Sequence, residues 1–121
     1  MSILIIDDDR RNIFALKTAL KSRGYDSQGV LSAQEGLDLI EDGMGISVVL
    51  LDMMMPEFDG FQFLQHIRDT SGKDYPPVIA VTAKAMSGDR ERCLVAGANG
   101  YVSKPVDIDI LLNEIQSLMK G

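Results

Sequence analysis

Chemically active side chains stand at the ends of four separate apolar runs in this sequence of 121 residues. They are carboxylates, a hydroxyl and an ammonium group: Asp7–Asp9, Asp52, Thr82 and Lys104. Two carboxylates about 4 Å apart repel each other by about 4 kcal/mol at an effective dielectric constant of about 20. Clustered acids therefore take up a proton or hold a cation. If the fold brings these run ends together, the sequence predicts a cation site.

Magnesium is the cation that these residue types favour. Carboxylate oxygens are hard ligands, and a site with few protein ligands and room for water suits Mg²⁺ better than Ca²⁺. The spacing of His66 and Cys93 does not fit a zinc site. Beside Mg²⁺, Asp52 becomes a candidate nucleophile for phosphoryl transfer, because carboxylates form acyl phosphates in enzymes. The Thr82 hydroxyl and the Lys104 ammonium could each bind one phosphoryl oxygen.

The apolar runs that precede these residues have the length and composition of strands. Three of them are typical of strands buried on both faces: Ile3–Ile6, Val48–Leu51 and Val78–Val81. Tyr25–Val30 is partly polar, as an edge strand would be. Tyr101-Val102, between Gly100 and Lys104-Pro105, is a short candidate for the last strand.

Helical patterns separate the strands. The first carries Ile13, Leu16 and Leu20 and can end at Gly24. A capping-box pattern, Ser32-Ala33-Gln34-Glu35, opens the second helix. An apolar stripe marks the third, with Phe61, Leu64 and Ile67, and the fifth, Ile108–Met119. The fourth, Ser87–Ala96, is followed by a glycine that can end it. Strict alternation of strand and helix predicts an α/β fold, a parallel sheet with helices on both faces. Ligands of such sheets bind beyond the carboxyl ends of the strands, where the chemically active residues stand.

The sequence resembles the receiver domains of two-component signalling over nearly its whole length. The resemblance rests on four ordered segments: Ile3–Asp8, then Leu50–Pro56 with Asp59-Gly60, then Ala80–Ala83, then Tyr101–Pro105. The stretch from Thr82 to Arg92 is similar to receivers of hybrid histidine kinases and to stand-alone receivers. The resemblance implies a flavodoxin-like (βα)5 fold with strand order 2-1-3-4-5.

The resemblance also implies a role for each residue of the predicted cation site. Asp52 matches the phosphoacceptor, which takes its phosphoryl group from a phosphohistidine of a histidine kinase or phosphotransfer protein. Asp7 and Asp8 match the acidic pair that holds Mg²⁺, and Asp52 would supply another oxygen. Met54 falls where the family uses a backbone carbonyl as a metal ligand.

A second group of residues matches the family's conformational switch. Thr82 matches the switch hydroxyl, Lys104 the lysine that pairs with the phosphoryl group, and Tyr101 the aromatic ring that turns inward as Thr82 moves. The Lys104-Pro105 peptide would be cis. Phosphorylation would then alter the face formed by the fourth helix, the fifth strand and the fifth helix. That face would bind an effector or a second copy. The protein would then be a signalling switch, and the only chemistry that it assists would be its own phosphorylation and dephosphorylation.

Composition narrows the class of protein. The net charge of −6 argues against direct binding of nucleic acid, which needs a basic surface. Apolar runs fall short of the ~20 residues of a membrane span, and the acidic N-terminus is unlike a signal peptide. The single cysteine permits no intrachain disulfide. We therefore expect a single domain over residues 1–121, located in the cytoplasm and not in a membrane.

Three other functions remain as alternatives. A Mg²⁺-dependent phosphatase of the haloacid dehalogenase type also uses an aspartate nucleophile, but it needs a general acid two residues on, where this chain has Met54. A receiver-like interaction module that works without phosphate would usually lack some of the acids found here. A flavin-binding protein of similar fold would need a phosphate loop, which Asp7–Asp9 would repel.

Several residues near these motifs also have a simpler interpretation. Asp9 could begin the first helix, where acids favour the helix dipole, and Tyr101 could be an ordinary edge-strand aromatic. We expect Cys93 to be a core residue of the fourth helix and His66 a surface residue. By the family resemblance, Lys84 would influence the lifetime of the phosphoryl group.

Overall fold

A computed structural model of the chain describes residues 2–43, 45–55, 59–70, 75–83 and 88–119. Within these described residues, five strands and five helices alternate. Their bounds are β1 Ser2–Ile6, α1 Arg10–Ser22, β2 Asp26–Val30, α2 Ala33–Glu41, β3 Val48–Asp52, α3 Gly60–Asp69, β4 Val78–Thr82, α4 Asp89–Ala96, β5 Gly100–Ser103 and α5 Ile108–Met119. All strand pairs are parallel, in the order β2-β1-β3-β4-β5. The structure therefore confirms the predicted flavodoxin-like fold and its strand order.

The strand sequences explain why some strands of the sheet are more buried than others. β3 and β4 lie in the interior of the sheet and are buried at every position. β2, with the partly polar sequence DSQGV, is an edge strand and is nowhere fully buried. β3 and β4 each extend one residue beyond the predicted apolar run, so that Asp52 and Thr82 are the last residues of their strands.

The sheet separates two apolar cores because successive side chains of a strand point to opposite faces. Leu4 and Ile6 of β1 pack on one face with residues of α2, α3 and α4, among them Leu37 and Phe63. The alternate positions of β1 pack on the other face with residues of α1 and α5. Helices on both faces are what a sheet buried on both faces requires.

Side-chain caps set where the helices begin. Asp9 caps α1 by accepting a hydrogen bond from the Arg11 N–H, as its simpler interpretation predicted. Ser32 caps α2 in the same way. Asp59 and Gln62 form a reciprocal capping box at the start of α3.

Two glycines occupy positions that disfavour a side chain, one through lack of space and one through its backbone conformation. A Cβ on Gly60 would lie 2.7 Å from the Met53 Cα, so the start of α3 can pack against the end of β3 only with glycine there. Gly88, the residue before α4, has a left-handed backbone (φ 87°) that favours glycine. α4 begins at Asp89, and Ser87, its predicted start, lies outside the described residues. Among the described helices, none is both long and apolar enough to cross a bilayer.

Candidate functional site

Three aspartates come together at the carboxyl edge of the sheet. Asp7 and Asp8 directly follow β1, and Asp52 ends the neighbouring strand β3. One carboxylate oxygen from each lies within 4.8 Å of the others. Asp7 and Asp52 are buried and Asp8 is exposed. We call these three residues the acidic cluster.

Neighbouring donors fix the orientation of Asp7. Its Oδ1 accepts a hydrogen bond from the backbone N–H of Asp9 at 2.8 Å. Its Oδ2 accepts a longer bond from the Asn12 side chain at 3.4 Å. These contacts connect the end of β1 to the first turn of α1. The start of the helix therefore also orients the Asp7 carboxylate.

Lys104 supplies the one positive charge that contacts the acidic cluster within the described residues. Its Nζ lies 3.3 Å from the Asp7 Oδ2 and 3.6 Å from the Asp52 Oδ2. The Lys104 backbone N–H donates to the Thr82 carbonyl at 2.9 Å, which attaches the residue to the end of β4. The peptide to Pro105 is cis, as the resemblance implied.

Asp52 lies in surroundings that disfavour its charged form. Burial raises the pKa of the Asp52 carboxyl above its ordinary value, and the charges of Asp7 and Asp8 raise it further. A hydrogen bond from the Met54 N–H at 3.0 Å and the charge of Lys104 act in the opposite direction without reversing the shift. A cation placed among the three carboxylates would remove this penalty.

The donor set fits a hard divalent cation. Three carboxylates and one ammonium group leave a net charge of −2 at the site. Exposure of Asp8 leaves one side open to water, and Mg²⁺ usually keeps several waters when a protein binds it. The side chain of Met54 is 51% exposed and has no oxygen that could bind a hard cation. Only the backbone carbonyl of Met54 could therefore act as a ligand.

The predicted switch residues divide between this edge and α4. Thr82 is buried at the end of β4, in register with Ser103 of β5. Tyr101 lies on β5, and its hydroxyl donates a hydrogen bond to the Asp89 Oδ2 at 2.9 Å. Burial and the bond to Asp89 together raise the pKa of Tyr101 to about 12.

Sequence reasoning assigned no role to Asp89. It is a buried acid in the first turn of α4, also 3.8 Å from the guanidinium of Arg92 one turn on. We call its bond to Tyr101 the Asp89–Tyr101 contact. The available signal was the glycine before it, which marks the start of a helix where an acid is favourable.

The structure tests the expectations for two nearby residues, Cys93 and His66, but not the one for Lys84. Cys93 is buried in α4, as predicted for a core residue, and burial raises the pKa of its thiol. His66 is exposed on α3, with its Nε2 3.4 Å from the Glu41 carboxylate. Lys84 lies outside the described residues.

The fold and the acidic cluster define a class, and sequence comparison agrees with it. A family model for the response regulator receiver domain matches residues 3–116. The chain therefore belongs to the receiver family of two-component response regulators, which act as signalling switches.

Individual relatives support the same assignment. The chain is 31% identical to the polar-differentiation response regulator DivK of Brucella ovis over 118 residues, which cover 98% of this chain and 95% of the relative. The Francisella response regulator 1452 receiver domain is similar in structure, with a TM-score of 0.87, 29% identity and coverage of 98% and 96%.

A third comparison shows the fold alone, because its identity is low. The co-crystal structure of the Saccharomyces cerevisiae histidine phosphotransfer signaling protein Ypd1 and the receiver domain of its downstream response regulator Ssk1 contains a similar chain. The TM-score is 0.85 at 23% identity, with coverage of 98% of this chain and 88% of the other.

Proposed function

We propose that this chain accepts a phosphoryl group from a phosphohistidine onto Asp52 with the help of Mg²⁺, as a single receiver domain over residues 1–121. The observation that carries the proposal is the meeting of the acidic cluster with Lys104 at one edge of the sheet. A structural role alone would not favour three carboxylates within 4.8 Å, because their mutual repulsion destabilises the apo fold.

The transfer step uses the Asp52 carboxylate as the nucleophile. Its Oδ2, 3.6 Å from the Lys104 Nζ, forms a bond to phosphorus while the P–N bond of the donor histidine breaks. The electron pair of that bond stays on the imidazole, so charge and atoms balance. Lys104 then pairs with a phosphoryl oxygen, and the Thr82 hydroxyl binds another.

The acidic cluster would hold the ion. Asp7, Asp8 and Asp52 supply carboxylate oxygens, with the backbone carbonyl of Met54 as a further ligand. When bound, Mg²⁺ neutralises the charge that develops on the phosphoryl group. Asp7 keeps its orientation through the Asp9 N–H and Asn12, so this chain prepares the site before the ion arrives.

Phosphorylation would switch the face formed by α4, β5 and α5. In the unphosphorylated chain Lys104 is engaged by two carboxylates, and Tyr101 is bonded to Asp89 on α4. New charge on Asp52 would draw Lys104 and Thr82 toward it and bias Tyr101 toward an inward position. The altered face would bind an effector or a second copy, with no direct role for nucleic acid or membrane.

The phosphodonor would be a cytoplasmic histidine kinase or phosphotransfer protein. The complex of Ypd1 with the Ssk1 receiver domain shows a donor of this class beside a chain of the same fold. The response regulators named DivK are relatives in the same signalling class. The chain would act as a switch, and the chemistry it assists is limited to its own phosphorylation and dephosphorylation.

The test is phosphorylation by acetyl phosphate, followed by intact-mass and Phos-tag analysis with and without Mg²⁺. We expect a gain of one phosphoryl group that requires Mg²⁺ and that Asp52→Asn abolishes. Asp59→Asn is the matched control, because it makes the same chemical change at a half-buried helix cap where asparagine also caps well.

A second donor makes a negative result decisive. If acetyl phosphate fails, a phosphorylated histidine phosphotransfer protein replaces it under the same conditions. Full labelling of Asp52→Asn, or no labelling of the wild-type chain by either donor, would overturn the proposal and favour an interaction module that works without phosphate.

A further inference from the structure

We propose that two copies of this chain associate through α1 of one copy and α2 of the other, independently of phosphorylation. The proposal starts from a sorting of charge between these two helices. α1 carries Arg10, Arg11, Lys17 and Lys21 and no acid. α2 carries Glu35, Asp38 and Glu41 and no base, and Asp42 follows directly. In a chain of net charge −6, α1 is an exception that requires an explanation.

The basic residues of α1 are exceptional in another way. Within the part of the chain that the structure describes, three Lys or Arg side chains make neither an ion pair nor a hydrogen bond: Arg10, Lys17 and Lys21. They share one face of α1 with Phe14, whose side chain is 60% exposed, since positions 10, 14, 17 and 21 repeat at helical spacing. We call this face the α1 stripe.

The α1 stripe borders a cleft that is separate from the acidic cluster. The cleft has a volume of about 590 Å³ and lies between α1 and the start of β2, at Tyr25–Ser27. Asp26 also lines it but forms no ion pair with the stripe. The opposite side of α1, with Asn12 and Ala15, faces Lys104 and the phosphoacceptor edge. A partner on the α1 stripe would leave that edge accessible.

Lys21 in the last turn of α1 and Glu35 in the first turn of α2 are favoured by the dipole of their own helix, but three other charges oppose it. Arg10 is in the first turn of α1, where the helix dipole disfavours a cation. Glu41 and Asp42 are at the end of α2, where the dipole disfavours an anion. Charges that oppose their own helix dipole are better explained by a partner outside the helix.

The spacing of the two sets is complementary. Arg10 and Lys17 are seven residues apart, and so are Glu35 and Asp42, which corresponds to about 10.5 Å along each helix. Glu35 and Asp42 are exposed, and their carboxylates have no partner in the described structure. Two intermolecular ion pairs can therefore form together, Arg10 with Glu35 and Lys17 with Asp42.

The position of the helices allows a closed dimer. α1 and α2 pack on opposite faces of the sheet beside β2, which is its edge strand. A twofold axis parallel to β2 would therefore place α1 of each copy beside α2 of the other. The same contact would form twice, and the exposed ring of Phe14 would be covered. Flat anionic membranes fit less well, because a chain of net charge −6 is repelled by them.

The test is a charge swap in the Asp52→Asn background, which removes any effect of phosphorylation. Sedimentation velocity compares the parent chain with an acidic variant, Arg10→Glu with Lys17→Glu, and with a basic variant, Glu35→Lys with Asp42→Lys. We expect the parent to associate at about 0.02 M salt and to dissociate at about 0.5 M. Each variant alone should associate at least about tenfold more weakly, because both ion pairs become repulsive.

Mixing the two variants gives the decisive result. In a mixed pair the acidic α1 meets a basic α2 and the basic α1 meets an acidic α2, so both contacts are attractive again. We expect the equimolar mixture to recover the association of the parent. Arg23→Glu with Arg90→Glu changes the net charge as much as the acidic variant does, at exposed sites outside both helices, and should not weaken association.

Three results would overturn the proposal. The first is a parent chain that stays monomeric at low salt, and the second is association that survives in either variant alone. The third is a mixture that fails to assemble although circular dichroism shows both variants folded. Flotation with phosphatidylglycerol vesicles is measured in parallel, and salt-sensitive vesicle binding by a monomeric parent would assign the α1 stripe to a membrane instead.

Discussion

Two of the buried aspartates, Asp52 and Asp89, lie in surroundings that differ in charge balance. Asp52 lies among like charges, and the acidic cluster with Lys104 has a net charge of −2. Asp89 lies beside Arg92 and accepts a bond from a neutral phenol, so the Asp89–Tyr101 contact is balanced within the chain. The first region has more negative than positive charge, whereas the second is balanced.

This difference indicates which buried acid serves a ligand. A buried charge that the chain balances by itself can be explained by packing α4 against β5. A buried charge that the chain leaves unbalanced destabilises the fold and is better explained by a ligand of opposite charge. The comparison therefore predicts that Mg²⁺ and nearby substitutions act strongly at the acidic cluster and weakly or oppositely at the Asp89–Tyr101 contact.

The largest expected effect is stabilisation by Mg²⁺. At a concentration about 100 times its dissociation constant, Mg²⁺ should raise the free energy of unfolding by about 2.7 kcal/mol if it binds the folded acidic cluster as proposed. Urea unfolding with and without Mg²⁺ measures this. Asp8→Asn should reduce the gain at the same concentration, whereas Asp89→Asn should preserve it. An equal response of both variants would show that the ion binds elsewhere.

Loss of Lys104 should have the next largest effect. Without Mg²⁺, Lys104→Met should lower the free energy of unfolding by about 2 kcal/mol, because two buried carboxylates lose their only contacting cation among the described residues. Arg92→Met at the balanced contact should cost less than about 1 kcal/mol, since the Arg92 side chain is 65% exposed. Mg²⁺ should reduce the loss of unfolding free energy in Lys104→Met but not in Arg92→Met. A Lys104→Met chain that unfolds at higher urea would contradict the repulsion argument.

Neutralising each aspartate should change stability in opposite directions. Asp52→Asn should raise the free energy of unfolding by about 1 kcal/mol without Mg²⁺, because it removes a buried charge that Asp7 and Asp8 repel. Asp89→Ala should lower it by about 1 kcal/mol, because it removes an acceptor of the Tyr101 hydroxyl. Equilibrium unfolding of both variants in a chelating buffer gives the comparison. Two changes of the same sign would mean that charge balance does not distinguish the regions.

The sequence predicted the acidic cluster because its members are attached to strong local signals. Asp7 and Asp52 stand at the ends of apolar runs whose burial is unmistakable, and parallel topology brings neighbouring strand ends together. Their spatial neighbourhood follows from the strand order, which local patterns do not determine and which the family resemblance supplied. The order 2-1-3-4-5 places β1 next to β3, and hence Asp7 next to Asp52.

The Asp89–Tyr101 contact could not be predicted in the same way. Its partners are twelve residues apart, on a helix and a strand whose relative position depends on side-chain packing. A buried acid in a helical first turn has the sequence pattern of an exposed one. The capping box of Asp59 with Gln62 could have been predicted from the sequence, because an aspartate three residues before a glutamine is a known pattern for the start of a helix.

The smallest expected effect is the alkaline titration of Tyr101, whose hydroxyl belongs to the charge-balanced Asp89–Tyr101 contact. Burial and Asp89 raise the pKa of Tyr101 to about 12, so the folded chain keeps the phenol proton at pH values where the unfolded chain, with a pKa near 10, has lost it. This contribution to stability is complete below about pH 10 and is lost as pH rises toward about 12. The tyrosinate absorbance of the wild-type chain minus that of Tyr101→Phe isolates the titration. Asp89→Asn should lower the midpoint only in part, because burial is the larger cause, and a wild-type midpoint near 10 would show that neither burial nor Asp89 acts on this hydroxyl.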